Sequence, residues 1–196
     1  MVGAARNAAW VACLPCWLVL WGCAGAPAVT LADLAGRRHA PLEVAPQQVH
    51  VIVFLSQECP IANAYAPTLA RLAEDWRDQP VRVFLVHVDP ELSVAEARRH
   101  RDDYGLPGVV LRDPRHELAR RLGITHTPEA VVLSDRGLVY RGRIDDRWPA
   151  LGVRRPKASV HDLHDAVATA LRGEVVPGPY PEPTGCLLPE PAPRGR

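Results

Sequence analysis

Five cysteines carry the reactive chemistry open to this 196-residue chain: Cys13, Cys16, Cys23, Cys59 and Cys186. Cys59 has the most suggestive setting. An apolar run (Val49, Val51, Ile52, Val53, Phe54, Leu55) precedes it, a polar turn (Ser56-Gln57-Glu58) leads into it, and Pro60 follows. Strand, turn, cysteine, helix places a thiol at a helix N-terminus, where unpaired N–H groups and the positive end of the macrodipole favour an anion. The thiolate is such an anion, and it is the nucleophilic form of cysteine. Proline suits the first helical turn because its missing N–H would have no partner there. Glu58 opposes the dipole, since a neighbouring carboxylate raises a thiol pKa. The competing reading is a buried structural cysteine at a strand–helix junction. Cys13-Leu14-Pro15-Cys16 has the spacing of a redox pair but sits inside the apolar run from Ala8 to Leu20. A redox pair needs a strand before it and a helix after it, so this one reads as a decoy.

The elements that must position Cys59 alternate between strands and helices. After the Val49–Leu55 strand, Ala62, Tyr65, Leu69, Leu72 and Trp76 recur at helical spacing, with Pro67 expected to kink the helix. Leu42–Val44 reads as a short edge strand ended by Pro46, and Val81–Val88 as a buried parallel strand. Ser93 and Glu96 form a capping box for a helix to Asp103. A short strand at 109–111 follows, and Asp113-Pro114 caps a helix ending near Gly123. The stretches 129–133 and 137–141 make a hairpin, and a last helix from Val160 to Leu171 buries Val160, Leu163, Val167 and Leu171. Beyond Gly173 the chain is rich in proline and carries Cys186 beside Leu187-Leu188, residues expected to dock on the body.

Charge is balanced at +1, 23 basic against 22 acidic residues, which argues against a nucleic-acid partner. Arg6 is the sole charge before Asp33, and the apolar run between them is short for a membrane span. It reads as an export signal. Leu20-Trp21-Gly22-Cys23 resembles the lipobox of bacterial lipoproteins, which implies lipidation at Cys23; cleavage after Ala24-Gly25-Ala26 and an uncleaved anchor are the alternatives. Each export route puts the chain where disulfides persist. The expected organisation is a signal over 1–26 (1–22 for a lipoprotein), a domain over 30–173 and a tail over 174–196.

Eight histidines are present. His161 and His164 are spaced i, i+3 on the last helix, as a metal pair or as a solvated edge. His126 lies two residues before Pro128, either to stabilise a thiolate at Cys59 or as an exposed loop residue. His87 ends a strand and reads as packing or a loop contact.

A βαβ unit, a hairpin and a closing helix follow the thioredoxin order, and specific residues carry the resemblance. Phe54–Ala62 resembles the thioredoxin active-site loop, with Cys59 at the place of the nucleophilic cysteine; Pro67 matches the helix-kinking proline. Thr127-Pro128 matches the cis-proline loop that faces the cysteine and binds substrate in that fold. The extra strand and helix between Val88 and Asp113, the run Tyr140–Asp146 and Gly185-Cys186 resemble a bacterial redoxin-domain group of the cell envelope, related to AhpC/TSA proteins and thiol reductases. The resemblance implies an α/β thioredoxin-like fold: a central mixed β-sheet flanked by helices, with an inserted strand–helix and a proline-rich C-terminal tail.

Departures narrow the chemistry. Ala62 stands where thioredoxins have the second cysteine, which excludes a Cys-x-x-Cys mechanism. Ile52 stands where peroxiredoxins have proline, although Ser56 fits their pattern. Asn63 removes the second thiolate of copper-delivery relatives. The expected activity is thiol–disulfide exchange in the envelope, with Cys59 as nucleophile and Cys186 as resolving thiol. The alternatives are a thiol peroxidase and a non-catalytic binding module with a structural Cys59–Cys186 disulfide. No cofactor or metal is expected. The expected partners are a protein or small-molecule disulfide or thiol, an electron donor, no nucleic acid, and a membrane through a lipid anchor.

Overall fold

The computed structural model describes residues 28–193; the expected signal segment, with Cys13, Cys16 and Cys23, lies outside the described residues. A small antiparallel hairpin comes first, β1 (Leu31–Ala32) and β2 (Arg38–His39). Asp33 builds its turn: the carboxylate accepts the Ala35 and Arg37 amides at 2.8 and 2.9 Å and meets His39 Nε2 at 2.9 Å. The expected strand at Leu42–Val44 does not form. Flanked by Pro41 and Pro46, the stretch makes turns, and Leu42 and Val44 pack half-buried against the sheet instead.

Every residue of β3 (Val49–Leu55) is buried, which makes it the centre of the sheet. Side-chain alternation splits the core into two layers. Val49, Val51, Val53 and Leu55 join one cluster; Ile52 and Phe54 join the other. The helix after Cys59 is interrupted rather than bent: α1 (Pro60–Ala64) ends at Tyr65 and α2 (Ala66–Asp75) begins anew with Pro67 in its first turn. There the proline's missing N–H costs nothing.

β4 (Val81–His87) runs parallel to β3. α3 (Val94–Tyr104) carries the expected capping box: Ser93 Oγ accepts the Glu96 amide at 3.2 Å and Glu96 Oε2 accepts the Ser93 amide at 2.9 Å. β5 (Val109–Arg112) adds parallel to β4. α4 (Glu117–Leu122) is capped by the buried Asp113 carboxylate, which accepts the amides of Glu117, Leu118 and Ala119 at 2.7–2.9 Å.

β6 (His126–Thr127) leads into β7 (Glu129–Ser134), which pairs antiparallel with β3 and with β8 (Gly137–Gly142). The main sheet therefore has the order β5-β4-β3-β7-β8, mixed in direction. α1, α2 and α5 (Asp162–Leu171) cover one face and α4 the other. α5 begins two residues later than expected, because the Val160 amide is tied to the Asp146 carboxylate at 3.1 Å. Val160 is consequently exposed, Leu171 lies at the edge, and Leu163, Ala166, Val167 and Ala170 form the buried face.

The proline-rich tail docks along the body. Tyr180 packs edge-on against Tyr140, Pro181 O accepts the Arg143 amide at 3.3 Å, and β9 (Cys186–Leu187) pairs antiparallel with β6. Leu188 packs on the core but Leu187 faces solvent, since successive strand side chains point to opposite sides. Ala192 donates its amide to Pro114 O at 2.8 Å. Among the described residues no helix is long and apolar enough to cross a membrane.

Candidate active site

Cys59 is the N-cap of α1, held where the buried strand β3 hands over to the helix. Its thiol donates to Thr127 O at 3.0 Å, a contact that spans the molecule from the first βα junction to the segment before β7. The Thr127–Pro128 peptide bond is cis. Cys186 stands opposite Thr127 in the β6–β9 pair, which brings its thiol and amide up to the Cys59 sulfur. The two cysteines are not joined by a disulfide. With the tail strand across it, Cys59 is only 1% exposed.

Gly185 makes this approach feasible. A Cβ at that position would collide with the Thr127 carbonyl, so a side chain there would lift the tail off β6.

The two thiols are electrostatically unequal. Burial pushes Cys59 up, but hydrogen bonds from the Cys186 thiol and from the Ala62 and Cys186 amides outweigh it and bring Cys59 below its ordinary value. Cys186 is pushed up to about 12, by burial first and then by donating to Cys59. One thiol is therefore poised to be the anion and the other to hold its proton against it. Such an asymmetric pair can perform nucleophilic attack at Cys59 and protonated standby at Cys186.

The loop that carries Cys59 is fixed from behind by a chain of hydrogen bonds. Asp89 accepts Ser56 Oγ at 2.5 Å and the Gln57 amide at 2.9 Å; Asn63 Nδ2 donates to Gln57 O at 2.9 Å. Asn63 Oδ1 therefore faces His100 Nε2, also at 2.9 Å, and that nitrogen must carry the hydrogen. His100 Nδ1 then points its lone pair at His87 Nε2, 3.4 Å away; His87 Nδ1 lies 3.5 Å from Asp89 Oδ2 without making a hydrogen bond to it. Burial, with His87 adding to it, pushes the His100 pKa down to about 4, which keeps the ring neutral as the tautomer requires. Burial pushes Asp89 up, but the nearby His87 and hydrogen bonds from Ser56 and the Gln57 amide hold it below the ordinary carboxylate value.

The structure thus brings Cys59, Cys186, Thr127 and Pro128 together. Glu58 is exposed and lines an outer cleft with Gln57 and Pro189. The His126 ring is engaged by Thr125 Oγ1 at 2.9 Å. His161 and His164 sit at the exposed start of α5, where His164 meets Asp165 at 3.2 Å. Asn63, Asp89 and His100 had no signal in the sequence as site residues, because their roles come from contacts between residues 13 to 37 positions apart.

Residues 24–142 match the family model described as the AhpC/TSA family. The chain belongs to that family. This redoxin membership, on a thioredoxin-like sheet, assigns it a general thiol redox function, with thiols as substrates and redox partners. No curated protein matches it. Among solved structures it is similar to a hypothetical protein from Sinorhizobium meliloti 1021, 25% identical over 82% of this chain and 89% of that one, TM-score 0.70. An uncharacterized conserved protein from Geobacillus kaustophilus is 24% identical, covering 83% and 88%, TM-score 0.66. A secreted Mycobacterium tuberculosis disulfide oxidoreductase shares the fold at 20% identity, covering 74% and 96%, TM-score 0.52.

Proposed function

We propose that this redoxin is an envelope thiol–disulfide oxidoreductase in which Cys59 attacks and Cys186 resolves. The convergence of both cysteines on Thr127, one through the β6–β9 pair and the other through its thiol, carries this reading. The Cys59 thiolate attacks one sulfur of a substrate disulfide, forming a mixed disulfide and expelling the other sulfur as a thiolate. Once Cys59 is no longer an anion, the partner that held the Cys186 proton is gone. Cys186 then loses its proton to solvent and attacks Cys59 Sγ, expelling the second substrate thiolate. The products are two substrate thiols and a Cys59–Cys186 disulfide, which an external dithiol reduces. No metal or organic cofactor enters these steps.

Thr127 and Pro128 form the substrate-facing wall: the Thr127 edge that β9 now covers can pair with an incoming extended segment. The apolar segment before residue 27 acts as the export signal, with Cys23 as the lipid attachment point. The domain over 30–173 carries the nucleophile and the tail over 174–196 the resolving thiol. An oxidising compartment suits this pair.

The burial of Cys59 favours a second reading, a peroxide-reducing cycle, because a small oxidant needs less room than a polypeptide. There the thiolate takes one peroxide oxygen, becoming sulfenic acid as the alcohol leaves, and Cys186 condenses with it to a disulfide and water. Stopped-flow oxidation separates the two. Faster formation of the disulfide with a peptide disulfide than with hydrogen peroxide supports exchange. The reverse order supports the peroxidase, and oxidation by neither contradicts both.

A further inference from the structure

The segment between β8 and α5 is charged unlike the rest of the chain. Residues 147–161 hold Arg147, Arg154, Arg155 and Lys157 and no carboxylate, in a protein whose overall balance is +1. The segment is a built scaffold. Asp146 accepts the Ser159 and Val160 amides at 2.6 and 3.1 Å and pairs with Arg155, whose own amide donates to Arg147 O at 2.8 Å. Its tip turns at Gly152, φ +74°, closed by a bridge between Ala150 and Val153.

This scaffold faces α2 across a cleft of about 410 Å³, lined by Pro67, Thr68, Arg71, Arg147, Lys157 and His161. No acidic side chain lines it. Arg71, Arg147 and Lys157 have no ion-pair partner among the described residues, whereas the neighbouring Arg143 and Arg155 are paired. Arg147 Nε is buried with no hydrogen-bond partner. Converging like charges repel, and a buried donor without an acceptor is costly. A bound anion relieves the repulsion between these charges.

We propose that this cleft is a binding site for a phosphate-bearing ligand. Two guanidinium forks match the oxygen geometry of a phosphate, and Lys157 adds a point charge. Three positive charges exceed what a single carboxylate would balance, and a phosphate dianion accepts from several sides at once. The volume lies in the small-ligand range of about 300–1,000 Å³. The phosphate belongs either to a free phosphate ester or to a phospholipid headgroup; Leu151 and Val153, exposed at the tip of the same segment, fit the second source as well.

The test is isothermal titration of the full chain with pyrophosphate and with inorganic phosphate, using acetate as the carboxylate control. Retention on phosphatidylglycerol vesicles, compared with phosphatidylcholine, runs in parallel. The expected result is saturable pyrophosphate binding that falls about tenfold in Arg147→Gln and again in Lys157→Gln, and less in Arg147→Lys. Arg71→Gln, on the exposed side of α2, is a second probe that leaves the Asp146 scaffold intact. Pyrophosphate binding without vesicle preference identifies a soluble ester; anionic-vesicle retention lost in the same variants identifies a headgroup. Absence of both, binding indifferent to the variants, or equal binding of acetate overturns the site.

Discussion

Cys186 stands directly across from Thr127 in a two-residue antiparallel pair, on the residue whose carbonyl takes the Cys59 thiol hydrogen at 3.0 Å. One short ladder therefore sets Cys186, the cis-proline loop and Cys59 in a single layer, and buries Cys59 beneath the chain's own tail.

Lifting that tail should expose Cys59. Gly185→Ala drives a Cβ into the Thr127 carbonyl, so β9 separates from β6. Alkylation of Cys59 by iodoacetamide should speed up severalfold, while disulfide formation with Cys186 slows. The main sheet does not include β9, so global stability should change by less than about 1 kcal/mol. Unchanged alkylation would mean that the tail does not limit access.

The Cys59 pKa depends on its neighbour. Because hydrogen bonding to Cys186 and to amides holds it below the ordinary thiol value, the pH midpoint of Cys59 alkylation should also lie below that value. Cys186→Ala removes the thiol donor and should shift the midpoint upward; Cys186→Ser, which keeps a hydroxyl donor, should shift it less. A midpoint identical in all three proteins would contradict the influence of Cys186 on Cys59.

His100 gives the fold an acid limit. Its folded pKa of about 4 lies below the ordinary histidine value of 6.5, so the unfolded chain binds the extra proton first. Stability tied to His100 is complete above pH 6.5 and is lost as pH falls from 6.5 towards 4. The loss amounts to roughly 3 kcal/mol at most, since each tenfold difference in proton affinity between the folded and unfolded chain is worth about 1.4 kcal/mol. Urea denaturation across that window should show a steeper decline for the wild type than for His100→Gln. At neutral pH His100→Ala should lose about 1–3 kcal/mol, because Asn63 Oδ1 is left without its donor.

The contrast between strand β3 and that chain of hydrogen bonds shows what the sequence could and could not reveal. Val49–Leu55 is an apolar run buried on both faces, and Ser93 with Glu96 makes a cap within four residues; both are local and legible. Cys59 and Cys186 stood out because few other thiols remain outside the apolar N-terminal segment. The hairpin of β1 and β2 was not legible, since two-residue strands have no periodicity and their turn depends on one carboxylate, Asp33. Asn63 looked like any helix residue until Gln57 and His100 were brought to either side of its amide. The start of α5 was misplaced for the same reason: the Asp146 bond that holds Val160 out of the helix joins residues 14 positions apart.

Export through a lipoprotein signal predicts a diacylglyceryl group on Cys23, detected by mass spectrometry of the detergent phase. Cys23→Ala should move the protein to the aqueous phase. A mature chain beginning near Pro27 would leave export intact and remove the anchor.

The central claim is that Cys59 and Cys186 form a reversible pair. Non-reduced mass spectrometry after mild diamide treatment, with a Cys186→Ser control, tests it most directly. The account predicts loss of two hydrogens in the wild type, a linked peptide joining Cys59 to Cys186, full reversal by dithiothreitol, and a mixed disulfide trapped on Cys59 in the variant. Two free thiols in oxidised wild-type protein, with Cys59 still reactive, would contradict it.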